Sequence, residues 1–321
     1  MQKPTNIVLI KTSSLGDVLH NLPVVSDICM HFPDAHIDWV VEENFAALPA
    51  LHPKVKHVVP VAMRRWRKSW WASRNEIRSA CRELQARHYD LALDTQGLLK
   101  SALITSCTRT KRCGYDWGSA REPLASWFYD CTFAVDKAQH AVERNRQLAA
   151  ATLGYAVAGT PDYGILPPDT ALPWLPGTPY VVLLHATSRD DKLWDEQNWI
   201  ALGNHLHRSN LCAVLTWGNE REKARAERLC AAIPAAVCAP RLHLDEAAAL
   251  LGKARAVVGV DTGLSHLAAA LDVPTIGIYT ATDPGLTGLY AGARAVNLGG
   301  KDAAPTVDAV IVKLTGLGVH V

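Results

Sequence analysis

Ile7-Val8-Leu9-Ile10 has no polar position to turn toward water, so a strand built from it must be covered on both faces. That requirement selects a parallel sheet with helices packed on either side. Apolar runs of strand length recur at 37–41, 55–61 and 91–93, and again at 180–184, 211–215, 256–260 and 275–279. Helical spacing lies between them: Val18, Leu22, Val25 and Cys29 follow the first run, and segments 198–207, 220–232, 264–271 and 307–314 read the same way. Between the two series six prolines (161, 167, 168, 173, 176 and 179) crowd into residues 161–179 and exclude an interior helix or a central strand there. The expected fold class is α/β, with doubly wound parallel sheets in two domains, 1–160 and 180–321. A linker at 161–179 joins them, and a ligand is expected in the cleft between them. A length of 321 residues suits that division.

Composition narrows the function. A net charge of +2 gives no global field for nucleic acid, and no nucleic-acid motif is present. No run approaches the roughly 18 apolar residues that span a bilayer, and residues 1–6 lead into a strand and not into a signal-peptide core. A cytoplasmic protein is expected. Eight cysteines (29, 81, 107, 113, 131, 212, 230 and 238) form no Cys-x-x-Cys pair or metal-spaced cluster, so reduced thiols are expected throughout.

Chemistry concentrates where strands end. After the first run comes Lys11-Thr12-Ser13-Ser14-Leu15-Gly16-Asp17-Val18-Leu19-His20, a strand-to-helix turn of the kind that holds ligand sites in open α/β folds. Asp17 there can take a proton from a bound hydroxyl group, or it can cap a helix whose N-terminus favours a carboxylate. Arg64, Arg65, Arg67, Lys68, Arg74, Arg78, Arg82 and Arg87, with Trp66, Trp70 and Trp71 among them, meet only Glu76 and Glu83. The segment reads as a solvated helix face, or as a grip for phosphates and carboxylates beside a membrane interface.

In the second half, His185-Ala186-Thr187-Ser188-Arg189-Asp190-Asp191-Lys192 and Asp261-Thr262-Gly263-Leu264-Ser265-His266 each follow a strand. Backbone N–H groups at the second turn, with hydroxyls from Thr262 and Ser265, are suited to a diphosphate, and an N-capped helix is the alternative. Glu222, after the strand at 211–215, can accept from ribose hydroxyls or sit at a helix start. Gly-x-Gly-x-x-Gly, the P-loop and Asp-x-Asp are all absent. Anion binding would then rest on lysine and backbone N–H groups, without a divalent ion or other cofactor.

These segments, with Ala120-Arg121-Glu122-Pro123 and Gln139-His140-Ala141-Val142-Glu143-Arg144, occur in an order that resembles the lipopolysaccharide heptosyltransferase I family, in glycosyltransferase family 9. The resemblance runs from about residue 6 to about 290. It implies a GT-B fold of two Rossmann-like domains facing a central cleft, the first for acceptor and the second for nucleotide sugar. It also implies inverting, metal-independent transfer of L-glycero-D-manno-heptose from ADP-heptose to the Kdo of Kdo2-lipid A, on the anionic cytoplasmic face of the inner membrane. By the same resemblance Asp17 is the general base. Lys11, Ser14, Arg64, Arg65, Arg67, Arg121 and His140 serve the acceptor. Thr187, Ser188, Lys192, Glu222, Asp261, Thr262, Gly263 and His266 serve the nucleotide sugar. Thr280-Ala281 stands where Gly-Pro is expected, and Ser188 where threonine is common. The alternative is another GT-B enzyme, a different heptosyltransferase or a nucleotide-sugar epimerase.

Overall fold

The computed structural model describes residues 4–175 and 177–321; the side chain of Trp70 and the linker residue Pro176 lie outside the described residues. Two compact units, Met1–Gly164 and Ile165–Val321, divide the chain inside the proline-rich segment.

The first unit runs β1 (Asn6–Ile10), α1 (Leu15–Leu19), α2 (Leu22–His31), β2 (His36–Glu42), α3 (Ala47–Ala50), β3 (Val55–Val61), α4 (Met63–Lys68), α5 (Trp70–Ala86), β4 (Leu91–Asp94), α6 (Leu99–Thr105), β5 (Lys111–Tyr115), β6 (Cys131–Phe133) and α7 (Ala141–Leu153). Its sheet is parallel throughout, in the order β3-β2-β1-β4-β5-β6. β1 lies between β2 and β4, with Ile10 beside Val40 and Asp94, and Ile7 to Ile10 are fully buried. Strand order reverses between β1 and β4, so the connections leaving their carboxyl ends diverge and open a crevice there.

The second unit repeats the plan with β7 (Tyr180–Leu184), α8 (Glu196–Arg208), β8 (Cys212–Leu215), α9 (Glu220–Ala232), β9 (Val237–Cys238), α10 (Leu244–Gly252), β10 (Ala256–Val260), α11 (Gly263–Ala270), β11 (Thr275–Tyr279), α12 (Pro284–Thr287), β12 (Ala295–Gly299) and α13 (Val307–Gly316). Its strands are also parallel, ordered β12-β11-β10-β7-β8-β9, with the reversal between β7 and β10. Val181, Leu183, Val258 and Ile276 on the sheet pack with Trp194, Trp199 and Leu202 into its main core. Gly259 is required where α11 returns over β10, because a Cβ there would collide with Ser265 Oγ and Leu184.

Two expectations are corrected. The arginine-rich stretch is two helices, α4 and α5, and Trp66 between the arginines is buried in the core, its indole N–H donating to Glu76 (2.8 Å). Not every thiol is free either: α5 and the turn after α6 pack closely enough (Cα–Cα 5.1 Å) for Cys81 and Cys107 to form a disulfide.

α7 is fixed to α2 by a fully buried ion pair. Arg146 Nε donates to Asp27 Oδ2 (2.8 Å) and Nη2 to Oδ1 (3.1 Å), while further guanidinium N–H groups reach the carbonyls of Ala158 and Gly159. Removing Asp27 strands the guanidinium away from water with only the Glu143 carboxylate (2.9 Å) left to balance it. Asp27→Ala is therefore expected to lower unfolding free energy by about 3–5 kcal/mol in urea titration. A loss below about 1 kcal/mol, the value of an exposed pair, would contradict this role.

Candidate active site

The turn after β1 is held by groups that come from β4 and α7. Asp94, fully buried at the end of β4, accepts from the backbone N–H groups of Gln96 (2.8 Å) and Gly97 (3.2 Å) and from the Tyr129 hydroxyl (2.8 Å). Gln96 Oε1 in turn accepts from the backbone N–H groups of Thr12 (3.1 Å) and Ser13 (3.2 Å). The Ser13–Ser14 peptide is cis. α1 starts at Leu15 and presents Asp17 on its first turn.

Asp17 both caps and pairs. Its Oδ2 accepts from Ser14 N (2.9 Å) and Ser14 Oγ (3.3 Å), and Arg121 Nη1 donates to Oδ1 and Oδ2 (3.3 and 3.2 Å). The capping reading of the sequence is thus present as a contact, while the carboxylate keeps 23% of its side-chain exposure. Burial pushes its pKa up, but the charges of Lys11 and Arg121 and the Ser14 N–H outweigh that and hold it below the ordinary carboxylate value. Lys11 is buried below the turn. Its Nζ donates to the Thr95 carbonyl (2.7 Å) and to Asn145 Oδ1 (3.2 Å), and burial lowers its pKa to about 8. Asn145 is itself fixed by the Tyr115 hydroxyl (3.1 Å) and by donating to the His20 carbonyl (3.1 Å).

Beside this turn, a cavity of about 670 Å³ is lined by Ser13, Arg64, Arg67, Lys100 and Glu122 above an apolar floor that includes Met63 and Ile104. Lys100 Nζ donates to Ser13 Oγ (2.6 Å). Arg64 and Arg67 thus meet a lysine that sequence reasoning missed, because a lone lysine at a helix start carries no pattern. Arg65 is engaged elsewhere, with Glu76 (2.7 Å) and Glu43 (3.2 Å). His140 is buried at the start of α7, where its Nδ1 accepts from Val142 N (3.2 Å) and its ring lies 5.4 Å from that of His20.

In the second unit the turns after β7 and β10 meet at the strand-order reversal. Lys192 Nζ donates to Asp261 Oδ2 (2.7 Å), Thr187 Oγ1 to the Asp261 carbonyl (2.9 Å), and Thr282 Oγ1 to Asp261 Oδ2 (3.0 Å). Thr282 lies in the segment where the sequence departs from the family pattern. Thr262 is the N-cap of α11 and Gly263 its first residue, and His266 is buried one turn on. Ser265 is corrected: its hydroxyl is buried and donates to the Val260 carbonyl (2.8 Å), away from any phosphate. A cavity of about 370 Å³ alongside is lined by Thr187, Ser188, Asn219, Arg221, Glu222 and Arg225, among others. Glu222 accepts there from Gly218 N and Asn219 Nδ2 (both 2.7 Å). Among the described residues no group of three or more His, Cys, Asp or Glu side chains could hold a metal ion, and no helix is long and apolar enough to cross a membrane.

Residues 77–312 match the family model for glycosyltransferase family 9 (heptosyltransferase). The chain is 48% identical over 289 residues to lipopolysaccharide heptosyltransferase 1 of Escherichia coli K12, covering 88% of this chain and 90% of that protein. It is 48% identical over 297 residues to the Pseudomonas aeruginosa protein of the same name, covering 91% and 83%. The solved structure of E. coli heptosyltransferase WaaC with ADP superposes with a TM-score of 0.89 at 41% identity, over 97% of this chain and 99% of that one. WaaC with ADP-2-deoxy-2-fluoro heptose gives 0.86 at 41% identity, over the same shares of each chain.

The electrostatics make a testable demand. Arg121 and Lys11 lower the Asp17 pKa against its burial, so removing either cation must raise it. If Asp17 is the group whose ionised form reacts, the acid limb of the kcat/KM profile moves to higher pH in Arg121→Gln and in Lys11→Met. An acid limb unmoved in both variants would mean that Asp17 does not govern it.

Proposed function

The chain belongs to glycosyltransferase family 9, the heptosyltransferases, and we propose that it transfers L-glycero-D-manno-heptose from ADP-heptose to the Kdo of Kdo2-lipid A, with inversion and without a metal. The observation that carries the reading is Asp17: a partly exposed carboxylate at the strand-order reversal of its sheet, kept ionised by a buried lysine and an arginine. Such a group takes a proton from an attacking hydroxyl in one in-line displacement. The first unit is the acceptor domain, with Arg64, Arg67, Arg121 and Lys100 offered to the carboxylates and phosphates of an anionic glycolipid. The second unit is the donor domain.

In the donor domain, Lys192 can keep Asp261 with one N–H and turn its others to a diphosphate, because an ammonium has three donors. With Thr187, Ser188, Thr262 and the N–H groups at Gly263 it stabilises the charge growing on departing ADP. Glu222 takes the ribose hydroxyls, exchanging them for its Asn219 and Gly218 contacts. Asp261 faces the heptose and His266 lies behind it. Direct inversion follows because a single base activates the acceptor and no covalent sugar intermediate is needed. The enzyme acts at the cytoplasmic face of the inner membrane, attached peripherally to its anionic surface.

A coupled assay of ADP release from ADP-heptose, with and without Kdo2-lipid A or its deacylated sugar core, tests the reading. Release is expected only with a Kdo acceptor. Release without any acceptor would favour hydrolysis or epimer chemistry, and no release with either acceptor would reject the assigned substrates. Lys192→Ala is expected to weaken donor binding and turnover together, by about tenfold or more each, as the loss of a charged hydrogen bond does. Unchanged binding by calorimetry would move the phosphate grip elsewhere.

A further inference from the structure

Trp66, the tryptophan that the sequence places among the arginines, is buried, yet the first unit exposes other indoles at the carboxyl edge of its sheet. The connection between β5 and β6 carries Trp117 (52% exposed), Leu124 (42%) and Trp127 (74%), the last within a 3-10 turn at Pro123–Phe128. The two indole rings lie 5.7 Å apart at 30° and so form one apolar plate facing water. Three large apolar side chains together on one short connection are not ordinary surface scatter. Arg121, on the same connection, reaches Asp17.

Around the same edge stand cations without carboxylate partners. Arg64, Arg67 and Lys68 are exposed on α4, and no carboxylate pairs with them among the described residues; Lys100 donates to Ser13 Oγ. Trp71, 78% exposed, follows at the start of α5. Indoles suit the headgroup layer of a bilayer, with an apolar body and a polar N–H, and unpaired lysines and arginines suit its phosphates.

We propose that the β5–β6 connection is a membrane anchor: Trp117, Leu124 and Trp127 enter the headgroup layer of an anionic bilayer while Arg64, Arg67, Lys68 and Lys100 meet its lipid phosphates. The anchor rests on the lipid-linked acceptor proposed above, and it places Arg121 and Asp17 next to the surface from which that acceptor projects. A bilayer fits better than a protein partner because the apolar plate is small and the charge exposed at the same sheet edge is cationic, the combination that an anionic headgroup layer complements.

Partition of the full-length protein onto vesicles of phosphatidylethanolamine and phosphatidylglycerol (3:1), against phosphatidylcholine alone, tests it. Wild type is expected to bind the anionic vesicles, to release with added salt, and to lose tryptophan fluorescence when the phosphatidylglycerol is brominated. Trp117→Ser/Trp127→Ser is expected to partition about tenfold more weakly or worse, as the loss of two buried indoles requires. Its melting temperature and its turnover of the water-soluble deacylated acceptor should match wild type. Trp117→Phe/Trp127→Phe should regain part of the binding.

Partition unchanged in the serine variant, or lost without rescue by phenylalanine, would overturn the anchor. A concentration-dependent dimer that the serine variant abolishes while vesicle binding persists would assign the plate to a second copy and also overturn it. Failure of wild type to bind any vesicle would remove the anchor together with membrane attachment. Failure to turn over the deacylated acceptor would instead reject the substrate reading and leave the vesicle result standing.

Discussion

A lysine buried at the centre of a sheet edge organises the first unit. Taking an ammonium out of water costs several kcal/mol unless charge and hydrogen bonds replace the water. Lys11 meets that demand with the Thr95 carbonyl and Asn145 Oδ1, and with the negative charge of Asp17 nearby. Each requirement recruits a separate part of the fold: the turn after β4 supplies Thr95, α7 supplies Asn145, and α1 supplies Asp17. The result is a carboxylate whose position and ionisation are both set before any substrate arrives. Preorganised charge of this kind is where enzymes gain most of their electrostatic advantage.

The second unit repeats the topology with a different arrangement of charge. Its strand order also reverses beside its first strand, and a lysine and an aspartate again share the turn, here in direct contact, Lys192 with Asp261 at 2.7 Å. In the first unit the pair leaves a carboxylate available; in the second the ammonium is more exposed and has donors to turn toward an anion. Two copies of one architecture thereby present a partly exposed carboxylate in one unit and an ammonium with donors to spare in the other, which the proposed function uses as base and anion grip.

Much of this was legible in the residues. Strands buried on both faces announce themselves as unbroken apolar runs, so β1, β7, β10 and β11 were readable with their limits. The short flanking strands were not: Lys111–Tyr115 carries two cations and a glycine, Cys131–Phe133 has three residues, and Val237–Cys238 two, so neighbouring strands decide them and not their own pattern. Motif order pointed to Asp17, Lys192 and Asp261, because they stand beside glycine and hydroxyl residues at strand ends. Asn145, Gln96, Lys100 and Thr282 were invisible, since each acts through a contact with a residue far away in the chain or in another turn. The same limit misled the reading of Trp66 and Ser265, whose composition suited a surface and a phosphate but whose side chains complete the core.

In the proposed mechanism the Asp17 carboxylate removes the acceptor's proton during transfer and does more than cap α1. The direct measurement is the single-turnover rate of heptose transfer by Asp17→Asn at saturating donor and acceptor, alongside the donor dissociation constant. Asparagine keeps the size and an oxygen acceptor for the Ser14 N–H, so the turn is preserved while the base is removed. A fall of about 10²–10⁴ in the transfer rate is expected, with donor affinity unchanged. A rate within a few-fold of wild type would contradict it and leave Asp17 as a helix cap.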